Sequence, residues 1–105
     1  MTDATGEASP GEAGGTVLTR TLTIRNRRGL HARAAAKFVT LAERFGAAVE
    51  VLKDGQSVSA RSIMGLMMLG AGLGATIELR AEGWDAKEAI EALSALVEAG
   101  FHEQD

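Results

Sequence analysis

The chain has 105 residues, 46% of them hydrophobic and 24% charged, a composition that fits one soluble globular domain with a single core. Cysteine is absent, which excludes disulfides, thiolate metal sites, iron–sulfur ligation and cysteine nucleophiles. The net charge of −3 hides a polarity along the sequence: residues 16–44 set seven bases against Glu43, whereas residues 78–105 set Arg80 and Lys87 against eight acids. The chain thus lacks the net basic field of a general nucleic-acid binder, while its first third can attract an acidic surface or a phosphate.

Residues 1–15 hold four of the 13 glycines, the only proline (Pro10) and no large apolar residue after Met1. They cannot bury enough surface to offset the entropy of ordering, so a disordered tail is expected there, followed by one domain over 16–105. They also contain no Lys or Arg and do not read as a secretory signal. The longest uncharged run, Ser62 to Ile77, has 16 residues and includes four glycines. It falls short of the ~18 apolar residues of a membrane helix, so a cytoplasmic protein without membrane insertion is expected.

From Val17 to Arg25, Leu18, Leu22 and Ile24 alternate with Thr19, Thr21 and Thr23, the pattern of a half-buried strand. Asn26-Arg27-Arg28-Gly29 breaks it. A helix is predicted from about His31, with Ala35, Phe38, Val39, Ala42 and Phe45 on one face and Gly46 as terminator. Val49 and Val51 then alternate with Glu50, and Asp54-Gly55 supplies a two-residue hairpin turn into Ser57-Val58-Ser59-Ala60. Ser62 caps a short helix that Gly70 ends. Ala75 to Ala81 forms a fourth strand, with Ile77 and Leu79 on one side. Asp85 and Glu88 form an approximate capping box for a last helix, Trp84 covers its first turn, and Ala86, Ala89, Ile90, Leu93, Leu96 and Val97 make its apolar stripe. The order βαββαβα, with one apolar face per strand and one stripe per long helix, predicts a mainly antiparallel sheet with helices on one side.

Gly29-Leu30-His31-Ala32-Arg33-Ala34-Ala35-Ala36 is the stretch richest in chemistry. It places a histidine at a helix start, where N–H groups lack intrahelical partners and the dipole favours negative charge. A neutral ring nitrogen, which that setting favours, is what attacks phosphorus. Arg33 brings a fork of donors suited to phosphate oxygens, and Gly29 allows a sharp approach to the helix. The residues alone fit equally a surface histidine or an imperfect cap. A metal site is disfavoured, since His102 is the only other histidine and no acid flanks His31 in sequence.

Gly-Leu-His-Ala-Arg followed by Lys37-Phe38-Val39 resembles the active-site motif of the HPr family, the histidine phosphocarriers of the bacterial phosphoenolpyruvate-dependent phosphotransferase system. Arg61-Ser62-Ile63-Met64-Gly65-Leu66-Met67-Met68-Leu69-Gly70 resembles the family's regulatory serine motif and second helix. The two stand in the family's order, and the resemblance covers about residues 17–101. It implies an α+β fold, the HPr-like open-faced β-sandwich: a four-stranded antiparallel sheet with three helices on one face. It further implies a phosphoryl carrier instead of an enzyme, with no cofactor and no metal. His31 would take a phosphoryl group on Nδ1 from enzyme I and pass it to IIA-type proteins. Arg33 would neutralise that group, and the N–H groups of Ala32 and Arg33 would contact it.

Ser62 would be phosphorylated by an HPr kinase/phosphorylase, adding about −2 charge to the docking face. Ile63, Met64 and Met67 would form an exposed docking patch, ringed by Arg28, Arg33 and Lys37, while Leu66 and Leu69 belong to the core. Ala34 departs from the family, most members having proline there, and a less rigid helix start with intact chemistry is expected. A monomer is expected. The sugar-uptake and nitrogen-linked regulatory branches both remain open, with features of each in the sequence. Outside the resemblance stands a βαββαβ regulatory or ligand-binding module in which His31 is incidental.

Overall fold

The computed structural model describes residues 17–103, so the tail expected over 1–15 lies outside the described residues. β1 (Val17–Thr23), β2 (Ala48–Lys53), β3 (Gln56–Ser59) and β4 (Thr76–Glu82) form one antiparallel sheet in the order β1-β4-β2-β3. α1 (Ala32–Ala42), α2 (Ile63–Met68) and α3 (Ala86–Glu98) follow β1, β3 and β4, and a short 3-10 turn spans Gly100–His102. The predicted element order and sheet class are those observed.

Alternation sets which sheet face is covered. Leu22, Val49, Val51, Ile77, Leu79 and Ala81 are buried beneath the helices, whereas Thr19, Thr21, Thr23, Glu50, Arg80 and Glu82 are exposed on the other face. α1 contributes Ala34, Ala35, Phe38, Val39 and Ala42 to the core, and α3 contributes its whole predicted stripe. Cross-strand pairs such as Leu22 opposite Ile77 and Val51 opposite Leu79 hold the layer in register. The β2–β3 turn has Asp54 at φ 51° and Gly55 at φ 82°, the two left-handed residues that a tight hairpin requires.

Three local expectations are corrected. α1 begins one residue later than predicted, with His31 as its N-cap, and ends at Ala42 instead of running to Phe45. Gly46 is not its terminator, for the chain turns earlier and Gly46 donates its N–H to Asp85 at 2.9 Å. Asp85 makes no side-chain bond to its own helix: its carboxylate also accepts from the Ala47 N–H at 2.8 Å, tying the start of α3 to the start of β2. Two N–H donors on a neighbouring segment outcompete one in its own helix for the carboxylate, so the tertiary contact displaces the capping box. Trp84 is 87% exposed and sits beside Gly46 instead of covering α3, because Gly83 runs against the Ala47 backbone and turns the indole outward.

Asp85 is thus a buried acceptor for two amides. Asp85→Ala should lower unfolding free energy by about 1–3 kcal/mol through the stranded Ala47 N–H, and Asp85→Asn by less. Urea unfolding followed by circular dichroism measures the difference.

Candidate functional site

The segment between β1 and α1 is fixed by backbone bonds before any side chain acts. Gly29 donates to the Asn26 carbonyl at 3.2 Å, and the Leu30 N–H donates to the Ala71 carbonyl at 2.9 Å. Gly29 has φ +66°, and a Cβ there would lie 2.3 Å from the Ala71 oxygen, so only glycine allows the 26–31 loop to lie against the 71–72 loop. Leu30 is buried, which leaves His31 presented at the mouth of α1. The His31 carbonyl accepts the first helical bond, from the Ala35 N–H at 2.9 Å. Ahead of that bond the N–H groups of Ala32 and Arg33 have no intrahelical acceptor. Ala32 and Arg33 are exposed.

The imidazole is partly shielded, its side chain 16% exposed, and its Nε2 meets a carboxylate oxygen of Glu103. A carboxylate only accepts, so Nε2 carries a hydrogen, and in the neutral ring the lone pair then lies on Nδ1. Among the described residues Nδ1 has no hydrogen-bond partner. The other Glu103 oxygen accepts from the Asn26 amide at 3.0 Å, and the same amide donates to the Gly29 carbonyl at 2.8 Å. Burial pushes the Glu103 carboxyl up, but the hydrogen bonds from His31 and Asn26 and the charges of His31 and Lys37 outweigh it and hold the group below its ordinary value.

Glu103 is the functional neighbour that sequence reasoning missed. It stands 72 residues from His31, in an acidic ending with no periodicity to mark it. The acid-free surroundings read for His31 therefore hold along the chain and fail in space. Among the described residues no group of three or more His, Asp or Glu side chains converges.

The other candidates lie on α1, on α2 and in the loop that precedes α1. Ser62 is the N-cap of α2, and its hydroxyl accepts from the Gly65 N–H at 2.9 Å. Leu66 and Leu69 are buried, while Ile63, Met64 and Met67 are exposed on α2, which packs against α1. Met68 and Leu73 extend the apolar surface, at 74% and 63% exposure, beyond the residues picked from sequence. Arg28 is exposed. Lys37 is not a free cation of the rim, since its ammonium donates to the Phe101 carbonyl at 2.7 Å and ties α1 to the turn after α3. Arg33, Lys37 and Arg44 line a groove of about 440 Å³ that Leu96 and His102 close from the other side. Ala34 is fully buried in the first turn of α1, where an alanine side chain packs without a proline ring.

Residues 18–99 match the family model described as PTS HPr component phosphorylation site. The chain is 48% identical over 87 residues to Phosphocarrier protein HPr of Cupriavidus necator, covering 83% of this chain and 98% of that protein. It is 47% identical over 88 residues to Phosphocarrier protein NPr of Shewanella violacea, covering 84% and 97%. Its fold matches the crystal structure of HPr-C-His from Thermoanaerobacter tengcongensis with a TM-score of 0.80 at 46% identity, over 84% of this chain and 99% of that one.

The lowered Glu103 group gives the site an acid limit. Its contribution to stability should be complete above the ordinary glutamate value and lost only as pH falls through the depressed one. A carboxyl-carbon NMR titration of Glu103 should show a midpoint below that of a free glutamate side chain; a midpoint at or above it contradicts the assignment.

Proposed function

The chain belongs to the HPr family and is a phosphocarrier of the phosphoenolpyruvate-dependent phosphotransferase system, and from that premise we propose that His31 is the residue that carries the phosphoryl group. The observation behind this reading is the single free nitrogen of its ring: Nε2 faces Glu103, and Nδ1 has no partner among the described residues. The Nδ1 lone pair attacks the phosphorus of a phosphohistidine on enzyme I. The Nδ1–P bond forms as the donor's N–P bond breaks, the electron pair returns to the donor nitrogen, and the hydrogen on Nε2 stays in place. A histidine of a IIA-type protein then attacks the same phosphorus and reverses the loading.

The free N–H groups of Ala32 and Arg33 face the transferred oxygens, and the Arg33 guanidinium neutralises them. The open end of α1 supports this role, since partial positive charge there favours an anion without holding it as a metal would. Moderate stabilisation is what a carrier needs, because a group bound too tightly would not be passed on.

The exposed α2 residues Ile63, Met64 and Met67 serve as the docking surface, with Arg28 at its margin, and flexible methionines suit partners of unlike shape. Lys37 contributes by bracing the turn that carries Glu103 more than by meeting a partner. Ser62 is the regulatory position: a phosphate on its oxygen stays at the N-terminal end of α2 while placing negative charge on the docking face. A cytoplasmic location and a monomeric state are part of this reading. Service in the nitrogen-linked branch is the second reading, favoured by the similarity to Phosphocarrier protein NPr.

Incubation with enzyme I and labelled phosphoenolpyruvate should place acid-labile, base-stable phosphate on the protein. His31→Ala should abolish the label with the fold intact. Arg33→Ala should slow loading by about ten- to a hundredfold, the worth of a charge-assisted hydrogen bond. Label persisting in His31→Ala would reject the assignment.

A further inference from the structure

The outer face of α1 carries positive charge that no described acid answers. Arg33, Lys37, Thr40 and Arg44 recur at helical spacing along it and line the groove of about 440 Å³ that Leu96 and His102 close. No acid lines that groove, and among the described residues the guanidinium groups of Arg33 and Arg44 have no partner. Arg33 and Lys37 are like charges four residues apart, an arrangement that destabilises a helix unless an anion lies across it.

The chain itself supplies a matching anion. Residues 1–16 lie ahead of the family domain, which begins at residue 18, and hold Asp3, Glu7 and Glu12 with no Lys, Arg or His. Val17, where they join β1, stands opposite Glu82, and Glu82 also stands opposite Ala48. Two strand spacings, about 10 Å, therefore separate the root of the segment from the head of β2, and Ala48 follows Arg44 by four residues. The segment thus leaves from the Arg44 end of the groove. Glu12 is five residues from Val17, a reach of up to about 17 Å, and Glu7 is five residues further out. Arg44 and Arg33 are eleven residues apart, about 16 Å at the rise of a helix. The two acids can therefore span the two arginines, with Asp3 left over toward the anion-favouring end of α1. Asp105, the other acid outside the described residues, follows Glu103 by two residues and reaches only one end of the groove.

We propose that this groove is the seat of the chain's own acidic N-terminal segment, Glu12 meeting Arg44 and Glu7 meeting Arg33, and that the seated segment competes with acidic partner surfaces for the same cations. Each pair is exposed and weak, but the tether keeps the acids at a local concentration on the order of millimolar, so no apolar burial is needed. Binding of this kind is screened by salt and yields to a partner that covers more surface. It slows encounter and leaves the His31 ring untouched. The competition, unlike the seating, rests on enzyme I docking beside His31.

The test uses the full chain, which has no cysteine of its own, with a nitroxide on a single introduced one. At low salt a label in Ala8→Cys should broaden the amide signals of Arg33 and Lys37, and a label in Ala13→Cys those of Thr40 and Arg44. Both effects should vanish in about 0.5 M sodium chloride and in the triple variant Asp3→Asn, Glu7→Gln, Glu12→Gln. That unlabelled triple variant should load from enzyme I with KM lowered about threefold at low salt and kcat unchanged. Broadening that is absent from the groove, is the same for both labels, or survives the triple variant would overturn the seating, and an unchanged KM would overturn the competition. Failure of the parent to take label on His31 would instead overturn the phosphoryl assignment, which the nitroxide spectra do not depend on.

Discussion

An imidazole has two nitrogens, and a partner that holds one of them sets how the other is presented. In this molecule Glu103 holds Nε2 of His31, and several unusual features lie around that contact. The left-handed turn at 100–102, the Lys37 bond to the Phe101 carbonyl and the two-way donation by Asn26 all bear on where one carboxylate rests. Without them the histidine would be a helix N-cap with a freely rotating ring.

The fold supplies the other half of the arrangement. Because β4 inserts between β1 and β2, the loop that precedes β4 lies against the loop that leaves β1. Gly29 permits the close approach, and the Leu30–Ala71 bond fastens it. α1 therefore starts from a fixed ledge, with its first amides lacking intrahelical acceptors. The His31 side chain meets the 100–103 stretch through Glu103, while the 71–72 loop holds the backbone just ahead of it. α2, which packs against α1, exposes Ile63, Met64 and Met67.

What was legible in the sequence was local. Alternation in β1, β2 and β4, the Asp54-Gly55 turn, the Ser62 cap and the α3 stripe each depend on residues within a few positions of one another, and each is observed. The motif holding His31 and Arg33 was likewise read at a helix start, which is where α1 begins. The misreadings share the opposite cause. Asp85 has the spacing of a capping box, but two amides at the start of β2 compete for it and win. Trp84 looks like a cover for α3 until Gly83 turns it outward. Lys37 reads as a docking cation until a carbonyl 64 residues away takes its ammonium. Glu103 carries no pattern at all, since its role is created wholly by the turn that returns it to the first helix.

The most direct measurement is the position of phosphorus on the loaded ring. In protein uniformly labelled with nitrogen-15 and phosphorylated by enzyme I, the phosphorus should couple to Nδ1 of His31 while Nε2 retains its hydrogen. Phosphorus coupled to Nε2 would mean that the nitrogen facing Glu103 is the nucleophile, and the account given for the clamp would be wrong.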